Sequence, residues 1–127
     1  MDTQLIQVQD KIYELRGVKV MLDFDLAAMY GIETKYLKRA VRNNIERFEG
    51  KDFMFELSKE EANTLINSSR CNFSTLNKRK GSNIKYSPFA FTELGVAMLS
   101  SVLNSGAAIE INRNIMRAFV AVRQLLP

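Results

Sequence analysis

The stretch LDFDLAAMYGIETKYLKRAVRNNIERF, from Leu22 to Phe48, constrains the fold more than any other part of the chain. It reads as two helices joined by a tight turn. Asp23 suits an N-cap, because its carboxylate can accept from a free N–H one turn ahead and sits at the positive end of the helix dipole. Leu26, Ala27 and Tyr30 then recur at helical spacing, and Gly31 supplies the left-handed residue that commonly stops a helix. Ile32 is expected to dip into the core. Thr34 is placed to cap a second helix running from Lys35 to about Phe48. Ala27 is small enough for the close crossing that such a pair requires, and Gly31 follows it by one turn.

On a helical wheel Leu37, Val41 and Phe48 share one face of the second helix, with Asn44 among them. Lys35, Lys38, Arg39, Arg42 and Asn43 fall mainly on the other side. Such donors pair with phosphates and with guanine or adenine edges. The plain alternative is a solvated basic face, and Glu46, one turn after Arg42, is positioned to pair with it. The capped short helix, Ala27, Gly31 and the buried spacing together favour a nucleic-acid-reading helix.

At 127 residues the chain suits one domain over residues 1–127 with a sizeable core, or the front part of a longer protein. Apolar residues make up 46% and charged residues 25%, ordinary values for a globular protein. No apolar run approaches membrane-spanning length, and no basic-then-apolar leader opens the chain. Cys71 is the one cysteine, so no internal disulfide can form and a cytoplasmic setting is the simplest expectation. The net charge is +4, and its distribution matters more than its size. Lys35, Lys38, Arg39, Arg42 and Arg47 form one basic cluster. Arg70, Lys78, Arg79, Lys80 and Lys85 form a second with no intervening acid. Two separated basic patches suit a localised polyanion footprint.

The remaining segments predict an α+β fold. KIYELRGVKVML alternates and predicts a hairpin over Lys11–Leu22 turning at Arg16–Gly17. Phe53–Leu57 predicts a third strand. Ser58 and Glu61 form a capping-box pattern that opens a helix to about Asn67. Ser68–Asn83 is polar, with KRKGSN at its tip. It is either a mobile loop or a wing-like hairpin with Ile84–Tyr86 as its second arm, where Pro88 argues against a central strand. Thr92 is placed to cap a helix through Leu103, which Asn104-Ser105-Gly106 breaks. A long helix follows from about Ala107 to Leu126. It has one stripe of Ile111, Ile115, Ala118, Phe119, Val122 and Leu126. Ile109, Met116 and Val120 lie nearly opposite, among Arg113, Arg117 and Arg123. Apolar residues on two sides imply burial in a core or a homodimer seam.

Enzymatic readings find little support. There is no histidine, which removes Ser-His and Cys-His nucleophile pairs and the common histidine-containing zinc sites. No Gly-rich phosphate loop appears, and Cys71 beside Arg70 suits an inert thiol. Glu33-Thr34-Lys35, with Asp23 and Asp25 upstream, has the composition of a nuclease metal site but is predicted to open a helix. No catalytic residue, metal or cofactor is expected.

Several blocks in order resemble a KilA-N-type phage DNA-binding domain, in the branch named for a phage open reading frame's N-terminal region. They are KIYELRGVKVMLDFDLAAMYGIETKYLKRAVRNNIERF, DFMFELSKEE, YSPFAFTELGVAMLSSVLNS and AIEINRNIMRAFVAVR, covering about Lys11 to Leu126. The resemblance implies double-stranded DNA binding without catalysis, in phage, prophage and antirepressor proteins. It implies DNA-facing positions at Thr34, Lys35, Lys38, Arg39 and Arg42. It also places Lys78, Arg79 and Lys80 in a loop that is often basic in the family. The chain departs from a plain three-helix unit, because a hairpin precedes the short helix. The alternative is a protein-interaction module, an antirepressor that captures another regulator, motivated by the two-sided last helix.

Overall fold

The computed structural model describes residues 8–66, 87–103 and 105–124. The anticipated Ile84–Tyr86 arm, Cys71 and Leu126 lie outside them. The alternating N-terminal segment forms β1 (Tyr13–Leu15) and β2 (Val18–Leu22), paired antiparallel with Tyr13 opposite Val20. Arg16 and Gly17 both take positive φ, 54° and 78°, as a two-residue hairpin turn of this twist requires. The Arg16 guanidinium then reaches across to Glu61, with Nε 2.8 Å from Oε2, and lies 4.1 Å from the Phe55 ring centroid.

The sheet is four-stranded in the order β1-β2-β4-β3, where β3 is Met54–Glu56 and β4 is Phe89–Phe91. β4 is a correction to the sequence reading, which placed no strand after Pro88. Its three residues are all buried and it pairs antiparallel with both β2 and β3. Pro88 stands just before the ladder, where it lacks only a donor that is not needed. Its carbonyl still accepts from Leu57 N at 2.9 Å.

Alternation along the strands gives the sheet two apolar faces. Met21, Phe89 and Phe91 face one layer of helices. Tyr13, Val20, Leu22, Phe55 and Ala90 face the other, where Leu57, Ala62 and Leu65 cover them. That covering helix, Lys59–Ile66, opens with the expected capping box. Glu61 N donates to Ser58 Oγ at 3.1 Å, and Ser58 N donates back to Glu61 Oε1 at 2.8 Å.

The larger helical layer holds α1 (Asp23–Tyr30), α2 (Thr34–Asn43), α4 (Glu93–Val102) and α5 (Gly106–Gln124), with Lys59–Ile66 as α3 between them in sequence. Gly31 ends α1 at φ 74°, where Gly31 N donates to Ala28 O and Ile32 N donates to Ala27 O. These two bonds make a Schellman stop. Thr92 caps α4 as anticipated, accepting from Gly95 N at 3.2 Å. Asn112 fastens α5 from inside, donating to Tyr30 OH at 3.1 Å and to Val96 O at 3.0 Å. Among the described residues no helix is long and apolar enough to cross a membrane.

The first turn of α4 packs directly against the backbone of Phe53, the residue just before β3. A Cβ on Gly95 would lie 2.1 Å from the Phe53 carbonyl oxygen, a backbone atom that cannot swing away. Gly95→Ala should therefore lower the unfolding free energy by about 1–3 kcal/mol or more. Gly106 has no heavy atom within 4 Å of the same position, so Gly106→Ala should be neutral or slightly stabilising. Urea midpoints of the two variants against the parent check the contrast.

Candidate nucleic-acid interface

α2 owes its orientation to Leu37 and Val41, both fully buried, and to Phe48, which closes the same cluster after the helix has ended. These are the residues assigned to packing from the wheel. The opposite side presents Lys35, Arg39, Arg42 and Asn43, all exposed, with Thr34 half-buried at the start. Among the described residues no carboxylate forms an ion pair with Arg39 or Arg42. Lys35 sits 4.0 Å from Glu33, with both side chains largely in solvent. The structure thus brings Lys35, Arg39, Arg42 and Asn43 onto one accessible surface.

Lys38 does not join them. It is 8% exposed and turns inward. Its Nζ donates to Ser87 O at 3.1 Å, lies 3.9 Å from Asp23 Oδ2, and stands 4.4 Å from the Phe89 ring centroid. Lys38 is on the flank of α2 next to the entry of β4, where a carbonyl, an acid and an aromatic face all await a cation. The wheel puts Lys38 about 60° from Val41, on the border of the packing face, but its partners Ser87 and Phe89 are distant in sequence.

Asp23 is likewise repurposed. The residue before α1 is Leu22, no side chain caps the helix, and Asp23 is its first residue. Its Oδ2 accepts from Phe89 N at 2.9 Å, while Oδ1 is buried without a hydrogen-bond partner. Burial pushes the Asp23 carboxyl up to about 6, against the opposing pull of the Phe89 N–H and Lys38. The same cause pushes Asp25 up to about 6, although Lys11 stands 4.0 Å away. Burial lowers the Lys38 ammonium, so desolvation drives the Asp23–Lys38 pair toward neutrality from both ends.

Two boundary expectations also change. Thr34 is not a cap. Glu33 occupies that position in extended backbone and makes no capping bond. The second helix stops at Asn43 instead of continuing to Phe48. Asn44 leaves helical geometry (φ −131°, ψ 38°), and its Nδ2 donates to Ala40 O at 2.8 Å. A short 3₁₀ turn, Ile45–Arg47, then delivers Phe48 to the core. Glu46 belongs to that turn and not to the basic helix.

Sequence reasoning passed over Tyr36. It is 47% exposed at the edge of the basic surface, with Lys35 Nζ and Arg39 Cζ each 5.3 Å from its ring centroid. Its place on the wheel, beyond Asn43 on the exposed arc, was the available signal. Lys78, Arg79 and Lys80 lie outside the described residues. Of the two α5 stripes, Ile115, Ala118 and Phe119 are core, with Ile111 and Val122 packed beside them. On the other side Met116 is half-buried, whereas Ile109 and Val120 remain 50% and 39% exposed. Glu33 is exposed while Asp23 and Asp25 are buried, so these acids share no surface.

The architecture is thus an α+β domain that displays one basic helix after a short one stopped at Gly31. The model of the ORF6N domain matches residues 10–102, and the chain belongs to that family, a phage-type open-reading-frame domain. Comparison with curated proteins and with solved structures gives no match.

The different placements of Lys38 and Arg39 separate in stability measurements. Lys38→Ala should cost on the order of 1–3 kcal/mol, because it strips partners from a part-buried carbonyl and a buried acid. Arg39→Ala should stay within about 0.5 kcal/mol. Urea titration of both variants decides this.

Asp23 and Asp25 also set a pH dependence. Their folded values lie above the ordinary carboxylate value of 3.8, so the folded chain holds more protons than the unfolded one between roughly pH 4 and 6. Their contribution to stability is complete below about 4 and is lost as pH rises through about 6. Asp25→Asn should remove part of that decline, raising stability at pH 7.5 relative to the parent more than at pH 4. Unfolding free energies across pH 4–8 provide the check.

Proposed function

We propose that this chain is a double-stranded DNA-binding module of a phage-type regulatory protein. In this reading α1 and α2 form a KilA-N-type helix-turn-helix, with α2 in the major groove. One observation carries the proposal. Arg39 and Arg42 stand exposed on the side of α2 opposite Leu37 and Val41, with no carboxylate partner among the described residues. Arginine in this setting suits a guanine edge, and Lys35 suits phosphate. Asn43, one turn after Arg39, is placed for an adenine edge or a phosphate. Thr34, half-buried at the helix start, is placed for a phosphate at most. The reading requires no cofactor and no catalytic residue, and it fits a cytoplasmic protein. The family membership supports the phage-type setting.

A second reading keeps a specific observation behind it. Ile109 and Val120 leave an apolar stripe of α5 uncovered. That stripe suits a protein regulator, as in an antirepressor, or a second copy of the chain reading a second half-site.

The test is duplex retention followed by fluorescence anisotropy as salt is raised. Affinity should fall linearly on a log–log plot, and Arg42→Ala should reduce the slope by about one if it meets phosphate. Arg39→Ala should cost on the order of 1–3 kcal/mol at one base pair of a selected site. Ile109→Ser should leave both unchanged for a monomeric reader. A folded protein with no salt-sensitive duplex binding, yet with a partner complex broken by Ile109→Ser, would establish the second reading instead.

A further inference from the structure

Tyr36 is the one large apolar surface within the exposed arc of α2, and it stands 47% exposed. It belongs to neither core cluster. Its ring is bracketed by Lys35 and Arg39, whose cationic groups each lie 5.3 Å from the centroid. A guanidinium beside an aromatic ring loses less freedom when it later forms hydrogen bonds. The ring also brings a hydrophobic edge to a surface otherwise made of charge and amide. In the major groove the matching apolar feature is the thymine C5-methyl group.

We propose that Tyr36 is a specificity-determining residue that packs on a thymine methyl beside the base read by Arg39. The inference rests on the DNA-binding reading and narrows it. Tyr36 and Arg39 are three residues apart, a rise of about 4.5 Å along the helix axis. Successive base pairs are about 3.4 Å apart. With α2 laid along the groove, the methyl falls about one base-pair step from the Arg39 contact, which makes a thymine next to a guanine the expected signature.

The experiment begins with duplexes selected by the full chain from a random pool. Each thymine of the selected site is then replaced by deoxyuridine, which removes only the methyl. One replacement, adjacent to the guanine whose recognition Arg39→Ala abolishes, should weaken the parent about fourfold. Tyr36→Ala should bind the thymine duplex more weakly by a similar factor and no longer distinguish it from the deoxyuridine duplex. Tyr36→Phe, which keeps the ring, should retain the discrimination. A parent indifferent to every replacement overturns the proposal, as does a Tyr36→Ala variant that discriminates as well as the parent. Both outcomes leave DNA binding itself intact. A folded parent that selects no duplex at all overturns the DNA-binding reading and this inference with it.

Discussion

The tie between the start of α1 and the start of β4 is the contact on which the rest of the molecule depends. Asp23 Oδ2 accepts from Phe89 N, and Lys38 reaches in from α2 to Ser87 O across the Phe89 ring. Two consecutive helices, the first and the basic one, meet an inner strand remote from both in sequence within these bonds. Without the carboxylate the Phe89 amide would be buried and unpaired, at about 1–3 kcal/mol. The arrangement has its own cost, because Asp23 is fully buried and keeps one oxygen without a partner. It holds because the alternative is a central strand whose first donor is orphaned.

That tie explains why α2 is an available surface. The sheet is covered on one side by α3 and on the other by α1, α2, α4 and α5, so α2 is held along its Leu37–Val41 side and by Lys38 on the adjoining flank. Asn112 locks α5 onto α1 and α4, and the Schellman stop at Gly31 sets the angle at which the chain enters α2. Rigid support from behind leaves the arc from Lys35 to Asn43 facing outward. A basic surface supported in this way, on a phage-type ORF6N domain, is the basis of the proposed DNA-binding role.

Much of this was legible in the chain itself, where the determinants are local. The hairpin with its Arg16–Gly17 turn, the Ser58–Glu61 capping box, the Thr92 cap and the Gly31 stop each depend on residues a few positions apart. The sequence patterns therefore placed them correctly. The packing side of α2 followed from the wheel for the same reason. What escaped depends on distant partners. β4 is only three residues long and follows a proline, so its apolar run reads as a loop until β2 and β3 flank it. Lys38 looks like one more surface base until Ser87, Asp23 and Phe89 are brought to it. Asp23 has the composition and position of a cap, and only the fold shows that it serves a strand. Tyr36 was passed over although its signal is local, since the wheel already puts it beside Asn43 on the exposed arc.

The most direct test follows backbone amide chemical shifts of the labelled chain as selected duplex DNA is added. The proposed interface predicts that the largest changes map to 35–43, with the exposed Ile109–Val120 side of α5 unaffected in a monomer. Changes confined to α5, or none at any DNA concentration in a folded sample, would contradict α2 as the DNA-reading helix.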